Sequence, residues 1–249
     1  MQIDLNSDLG EGFGPWEMGD DAAMLGVVTS ANIACGGHAG DAEVMFRTLK
    51  MAAEKGVVVG AHPGYADREG FGRRVIPMAP GEIARMVAAQ VGALVGVAAL
   101  AGTRVRYVKP HGALGNLAAD DRAVAEAILT AIPSDMAVLA ISGTELELAA
   151  RAAGVPVFSE IFADRAYLPN GRLVPRSRPG AVLHDAGEVS ERLLGFLQTG
   201  LMPVLDGAPI KLAAQSICVH GDTPGALDMA RRLRDRLQAA GVTLAPFLT

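Results

Sequence analysis

The chain is poor in cysteine: Cys35 and Cys218 are its only two thiols in 249 residues. They form no CxxC pair and no disulfide framework, which fits a reducing compartment, and both sit in apolar strand-like runs where a thiol is buried and inert. Basic charge is also scarce. With a net charge of −5 and only 4% aromatics, the chain lacks the basic patch and the stacking rings that a nucleic-acid partner requires. No apolar run reaches the ~18 residues of a membrane span. Asp4 and Asp8 stand where a secretory leader would carry a basic stretch and then an apolar one, so the expectation is a cytoplasmic protein with no membrane partner. Local catalytic signatures are missing as well. There is no HExxH, no paired CxxC, no H-x-E followed by PCxxC, and no GxSxG elbow. Without a GxxxxGK[ST] loop, nothing local binds ATP, and GEGFG at 10–14 runs into Pro15 where a dinucleotide fingerprint would continue.

What is present is a rhythm. Half of the residues are hydrophobic, enough for one large core, and strand-like runs at 3–9, 27–35, 57–61, 105–108, 137–141, 155–162, 181–183 and 215–219 alternate with helix-like ones. The helical stretches are 80–101, 119–131, 144–153, 186–198, one capped by Asp41 and running to Lys55, and one opened by Pro224 and stopped by Gly241. Strands that alternate with helices imply a parallel sheet, because parallel neighbours need crossovers. About seven such units predict one α/β domain over residues 1–249, a (β/α)7-type barrel, with an open doubly wound sheet as the alternative. The stretch 163–179 breaks the pattern: an Asn170-Gly171 turn between short extended arms predicts a small hairpin excursion.

The first strand is the most informative. Asp4, Asn6 and Asp8 share one face while Ile3, Leu5 and Leu9 share the other, so the strand has a polar inner side where a buried parallel strand is usually apolar. Gly10, Gly12 and Gly14 follow, letting backbone pass close to a ligand. Ligand sites of parallel α/β folds lie at the carboxyl ends of the strands. His38, His62, His111 and His220 each follow a strand-like run directly, and His184 follows a shorter one. Asp8, Glu11, Asp41, Glu160, Asp164, Asp222 and Lys109 cluster at strand ends in the same way. Such groups bind a divalent metal or serve as general acids and bases, and any metal site must be assembled from separate strands. Arg73, Arg74 and Arg165 are the candidate anion contacts; Arg172, Arg176 and Arg178 read as surface charge.

The segments DLNSDLGEGFG, SANIACGGHAGD, GAHPGYADREGFGRR, VKPHGALGN, EIFADRAY and ICVHGD, which run from residue 4 to residue 222, together resemble the LamB/YcsF family. Departures are small: the family pattern has Tyr where Gly115 stands and often Pro where Ala42 or Ala66 does. The resemblance implies a seven-stranded barrel like that of the glycoside hydrolase and deacetylase superfamily. It also implies a role in the ATP-dependent opening of 5-oxoproline (pyroglutamate) to L-glutamate, with two partner subunits, B and C. The missing phosphate loop agrees with ATP being used with those partners, and a divalent metal is left open. The expected catalytic set is Asp8, Glu11, His38, His62, Lys109, His111 and Glu160. The expected substrate contacts are Asn6, Arg73, Arg74, Asp164, Arg165, His220 and Asp222. Two other classes of function compete: a free-standing metal-dependent amidase or deacetylase using the same histidines, and a scaffold that only positions partners.

Overall fold

The computed structural model describes residues 1–221 and 225–248. In chain order its elements are β1 (Gln2–Leu9), α1 (Asp21–Met24), β2 (Ser30–Ala34), α2 (Ala42–Lys55), β3 (Val58–His62), α3 (Pro80–Leu100), β4 (Val105–Val108), α4 (Gly112–Asp120), α5 (Arg122–Thr130) and β5 (Ala137–Ile141). There follow α6 (Glu145–Ala153), β6 (Val157–Phe162), α7 (Ala186–Thr199), β7 (Leu201–Met202), β8 (Ile210–Lys211), β9 (Ser216–Cys218), α8 (Ala226–Ala239) and β10 (Thr243–Leu244). Among the described residues, β1 to β6 pair in parallel in sequence order, β6 pairs with β9, and β9 pairs back with β1. The result is a closed barrel of seven parallel strands wrapped by helices. The β9–β1 ladder excludes the open doubly wound alternative.

The alternation of β1 explains why the barrel has a polar interior. Leu5 and Ile3 face outward into the apolar layer under the helices, where Ile33, Val59, Leu49, Val91 and Leu94 join them in the main core. Asp4, Asn6 and Asp8 face inward and bond across the barrel. Asn6 reaches Glu160 on β6 at 2.9 Å and Asn32 on β2 at 2.7 Å, and Asp4 takes hydrogen bonds from the hydroxyls of Ser30, Thr29 and Ser216. Tyr107 fills the lower interior, donating its hydroxyl to Asn32 Oδ1 at 2.6 Å, with Phe247 against its ring at 5.0 Å between centroids. Gly60 makes room for it. A Cβ at residue 60 would sit inside the Tyr107 ring.

Some elements differ from the sequence expectation. Residues 119–131, read as one helix, are the end of α4 and all of α5; Asp121, in extended conformation, ends the first and caps the second through the amides of Ala123 and Val124. α4 begins at Gly112, directly after His111, in a Gly-rich stretch whose low helix propensity hides it. Residues 181–183 supply no barrel strand: Val182 makes a single antiparallel bridge to Arg165, inside the excursion that carries the Tyr167–Leu173 bridge and the Gly171 turn. Pro224, expected to open the last helix, lies outside the described residues. α3 corrects the membrane reading by length and composition: it has 21 residues, and an 18-residue stretch of it reaches a mean hydropathy of 1.8, long and apolar enough to cross a membrane. Its interrupting residue, Gln90, is buried and bonds both the amide and the carbonyl of Gly64, while Ile83, Val87, Val91, Leu94 and Ala98 pack on the barrel.

Candidate active site

At the carboxyl end of the barrel a cavity of about 480 Å³ is lined by Asp8, Glu11, His62, Lys109, His111, Glu160, Phe71, Arg73, Phe162, Arg165, Arg176 and His220, among others. Each arrives by a local device. Asp8 is the last polar inward residue of β1, and His62 ends β3. Lys109 and His111 flank Pro110 between β4 and the start of α4, where the chain turns over the barrel rim. Glu11 follows Gly10, whose φ of +68° turns the chain inward. Gly72, with φ +60°, lets the 70–73 loop lie on the imidazoles; a Cβ there would strike His38 and His111.

Two groups of side chains meet in this cavity. The first is Glu11, His38, His62 and His111, all buried, each offering a ligand atom within 4.8 Å of the others. The His62 Nδ1–H donates to the Lys109 carbonyl at 2.7 Å, and the His111 Nε2–H donates to the Phe71 carbonyl at 2.8 Å. These bonds set both tautomers, so the lone pairs of His62 Nε2 and His111 Nδ1 face each other 3.0 Å apart. Asp8 Oδ2 lies 3.3 Å from the same His62 nitrogen, and Glu11 Oε1 lies 3.7 Å from His111 Nδ1. Lone pairs so placed repel unless a proton or a cation sits among them. Burial and the neighbouring imidazole of His62 push His111 down to about 3. Burial, with His111 and His62 beside it, holds His38 well below the usual histidine range. A resident proton is therefore disfavoured on His111 and His38, and His62 Nε2, His111 Nδ1 and the Glu11 carboxylate make a three-ligand site of the kind that holds a divalent cation with open positions. His38 stacks on His111 at 3.6 Å and sits 3.1 Å from Glu11 Oε1. Its Nδ1 is buried without a hydrogen-bond partner, so ligation through Nε2 would strand an Nδ1–H. His38 fits better as the donor that orients Glu11.

The second group centres on Lys109, which is 4% exposed. Its ammonium lies 3.0 Å from Asp8 Oδ1, 2.8 Å from Glu160 Oε1 and 3.2 Å from Cys218 Sγ. Burial opposes its charge, but Asp8, Cys218 and Glu160 raise its pKa well above the ordinary lysine value. Burial likewise opposes ionisation of Asp8, yet His62 and Lys109 hold that carboxyl well below the usual range. For Glu160 burial wins: its pKa is raised despite Lys109, and its Oε2 is buried with no hydrogen-bond partner. Two carboxyls on one lysine are thus shifted in opposite directions, Asp8 down and Glu160 up.

Of the residues expected from sequence to form the site, Asp8, Glu11, His62, Lys109, His111, Glu160, Arg73, Arg165 and His220 line the cavity, with His38 directly behind. Three of the other expected residues do not line it. Asn6 is fully buried beneath the floor, bonded to Glu160, Ser216 and Asn32, so it braces the site from below and does not line the cavity. Arg74 pairs with Asp67 on the surface, because its loop, once turned by Gly72, presents Arg73 and not its neighbour to the cavity. Asp164 is committed to His220, its two oxygens 2.8 and 2.9 Å from Nδ1, and does not line the cavity. Asp222 lies outside the described residues. His184 is exposed, and Asp41 caps α2 through the amides of Glu43 and Val44. Sequence reading missed Arg176, taken for surface charge, and Asn32, whose inward position followed from the same alternation that exposed Asn6. Cys218 is buried as expected, but beside Lys109.

The LamB/YcsF family profile matches residues 3–249. A Rhodopseudomonas palustris protein, named as the A subunit of 5-oxoprolinase, is 52% identical over 252 residues, covering 99% of each chain. A Nocardia farcinica protein of the same name is 55% identical over 251 residues, covering 100% of both. The crystal structure of a lactam utilization protein from Thermus thermophilus superposes with a TM-score of 0.93 at 39% identity, covering 99% of this chain and 100% of that one. A peptidoglycan N-acetylglucosamine deacetylase, at TM-score 0.50 and 13% identity over 99% of this chain and 86% of that one, shares the barrel fold alone. With its profile matched from the first strand to the last residue and the strand-end segments gathered around one cavity, the chain belongs to the LamB/YcsF family.

Proposed function

We propose that this chain is the ring-opening subunit of an ATP-dependent 5-oxoprolinase, hydrolysing the lactam of 5-oxoproline to L-glutamate together with partner subunits B and C. The observation that carries the reading is the placement of Asp8 and Glu160 on one Lys109, with the pKa of the first carboxyl lowered and that of the second raised, in a cavity whose other side is the histidine group. A five-membered lactam is a resonance-stabilised amide. Opening it requires water to add to the ring carbon, the C–N bond to break and the nitrogen to gain a proton. Asp8 takes the proton from water, Lys109 offsets the negative charge that develops on oxygen, and Glu160 gives its proton to the departing nitrogen. A divalent cation at Glu11, His62 and His111 would supply Lewis acidity at the substrate oxygen. The names of the relatives support a multi-subunit enzyme. The absence of a phosphate loop supports ATP use with the partners, where the γ-phosphoryl of ATP passes to the lactam oxygen and ADP leaves; ring opening by water then gives an acyl phosphate, which a second water cleaves to glutamate and inorganic phosphate.

The free-standing amidase reading draws on the same converging lone pairs, and one experiment separates the two. Protein purified without chelator is analysed for metal and assayed with 5-oxoproline alone, then with B-like and C-like subunits and ATP. The expected result is one bound divalent ion per chain and turnover only in the complete mixture. Turnover by the single chain would favour the amidase, and no turnover in the complete mixture would overturn the reading.

A further inference from the structure

Among the described residues, Phe71 and Asp206 are the non-glycine positions with positive φ, and of the two Phe71, at +53°, lines the cavity. A left-handed backbone crowds the Cβ of a bulky residue against the adjacent carbonyl, so it persists only where the surroundings fix it. Here they do so from two sides. The Phe71 amide donates to the Arg68 carbonyl at 3.1 Å and the Gly72 amide to the Asp67 carbonyl at 2.8 Å, while the Asp67 carboxylate takes the Gly70 amide at 3.0 Å and pairs with Arg74. On the other side the Gly72 carbonyl accepts the Ala113 amide at 2.9 Å, which ties the loop to the first turn of α4. Two consecutive left-handed residues, 71 and 72, reverse the chain and set the Phe71 carbonyl 2.8 Å from His111 Nε2. The Phe71 ring meets the His111 and His38 rings edge-on, with centroids 5.3 and 5.5 Å apart. Such an apolar contact suits either imidazole tautomer, whereas a carbonyl accepts only from an N–H. With Nε2 carrying the proton, Nδ1 keeps the lone pair that faces His62 Nε2 and Glu11 Oε1. The opposite tautomer would turn an Nδ1–H onto His62 and close that position to a cation.

We propose that Phe71 is a positioning residue: its strained backbone, and not its ring, holds His111 in the Nε2–H tautomer and so keeps Nδ1 bare for a divalent cation. The cation belongs to the ring-opening reading, on which that half of the proposal rests. The tautomer is a property of the chain without metal, and it is tested separately.

Two substitutions separate backbone from ring. Phe71→Gly removes the ring and permits positive φ freely, whereas Phe71→Val removes the ring and places a branched Cβ that opposes positive φ. Each full-length protein, shown folded by its circular dichroism, is labelled with isotopic histidine and freed of metal. Nitrogen NMR then reports the tautomer of each of the five histidines, His111 being assigned by its absence from His111→Gln protein, and cobalt(II) is titrated into the same samples. The expected result is that the unaltered chain and Phe71→Gly hold His111 as Nε2–H and bind cobalt with affinities within a few-fold of each other. In Phe71→Val the tautomers mix, and cobalt affinity falls by about 10–100-fold, as when a group that orients a metal ligand is lost. An unaltered chain with Nδ1–H on His111, or a Phe71→Val protein unchanged in both measurements, overturns the proposal. Loss of the tautomer in Phe71→Gly overturns it as well by assigning the effect to the ring, and that variant decides the matter even where Phe71→Val fails to fold. The expected tautomer without cobalt binding by the unaltered chain overturns the cation half, and with it the cation of the ring-opening reading, while the positioning of His111 stands.

Discussion

Replacing Lys109 by Met tests the charge arrangement at the floor of the cavity most directly. The ammonium is 3.0 Å from Asp8 and 2.8 Å from Glu160. At an effective dielectric of about 20, the contact with the Asp8 carboxylate carries roughly 5–6 kcal/mol of gross Coulomb attraction, most of it offset by desolvation, and Glu160 adds a hydrogen bond from the same ammonium. Removing the lysine leaves two carboxyl groups facing each other in a closed interior. The measured cost of orphaning a buried charge is about 3–5 kcal/mol, and that is the expected loss at pH 7. The loss should shrink in acid. Without Lys109, burial acts on Asp8 opposed only by its other neighbours, chiefly His62, and on Glu160 opposed chiefly by Asn6, so both folded pKa values move up; the stability they lend is then greater at low pH and is lost as pH climbs through the folded values. Adding Glu160→Gln to Lys109→Met removes one of the two carboxyl groups. The double variant should recover a large part of the loss, and the two substitutions should be strongly non-additive. Urea unfolding at pH 7 and pH 5, on both single variants and the double, measures all of this. A Lys109→Met protein as stable as the parent at pH 7, or one equally destabilised at both pH values, would refute the coupling of these three groups.

Two further outcomes follow from the same interior. His62→Asn keeps a polar group near the Lys109 carbonyl but deletes the nitrogen that faces Asp8 and His111, so turnover of the reconstituted enzyme should fall by about 10²–10⁴-fold; full activity in that variant removes His62 from the site. Asp4 has its pKa raised to about 6, chiefly by burial and against the hydroxyl bonds from Ser216, Ser30 and Thr29. Its folded value exceeds the unfolded one, so its contribution is complete below about pH 4 and declines as pH rises through 6, by up to about 3 kcal/mol. Asp4→Asn should flatten the stability–pH curve between pH 4 and 7, and an unchanged slope in urea titrations would contradict this.

Much of the architecture was legible because it is written in short-range periodicities. Alternation in residues 3–9 separated an inward polar face from an outward apolar one, and Asp41, Gly56 and Lys55 bounded α2 by capping chemistry that needs no partner elsewhere. The strand-end rule then collected Asp8, His62, Lys109 and His111 without any contact being known. Where reading failed, local propensity and tertiary context disagreed. α4 begins among glycines, and residues 181–183 look like a strand but only brace the excursion. α3 is apolar enough for lipid and instead lies on a barrel, with Gln90 bonded to Gly64.

The roles within the site belong to a different level. That residues bearing protons and charges collect at one end of the barrel follows from composition along each strand, because every strand of a parallel barrel presents its carboxyl end to the same side. Which carboxyl keeps its proton, which imidazole nitrogen is bare, and which arginine of a pair faces inward are decided by distances of about 3 Å between residues far apart in the chain. Asp8 and Glu160 are both acids in the sequence; only closure of β9 onto β1, which sets both around one buried ammonium, shifts their pKa values in opposite directions. Arg73 and Arg74 are equivalent in the sequence too, until the positive φ of Gly72 turns one into the cavity and leaves the other to Asp67. Pairwise electrostatics and burial depend on three-dimensional separation, and no periodicity along the chain encodes that.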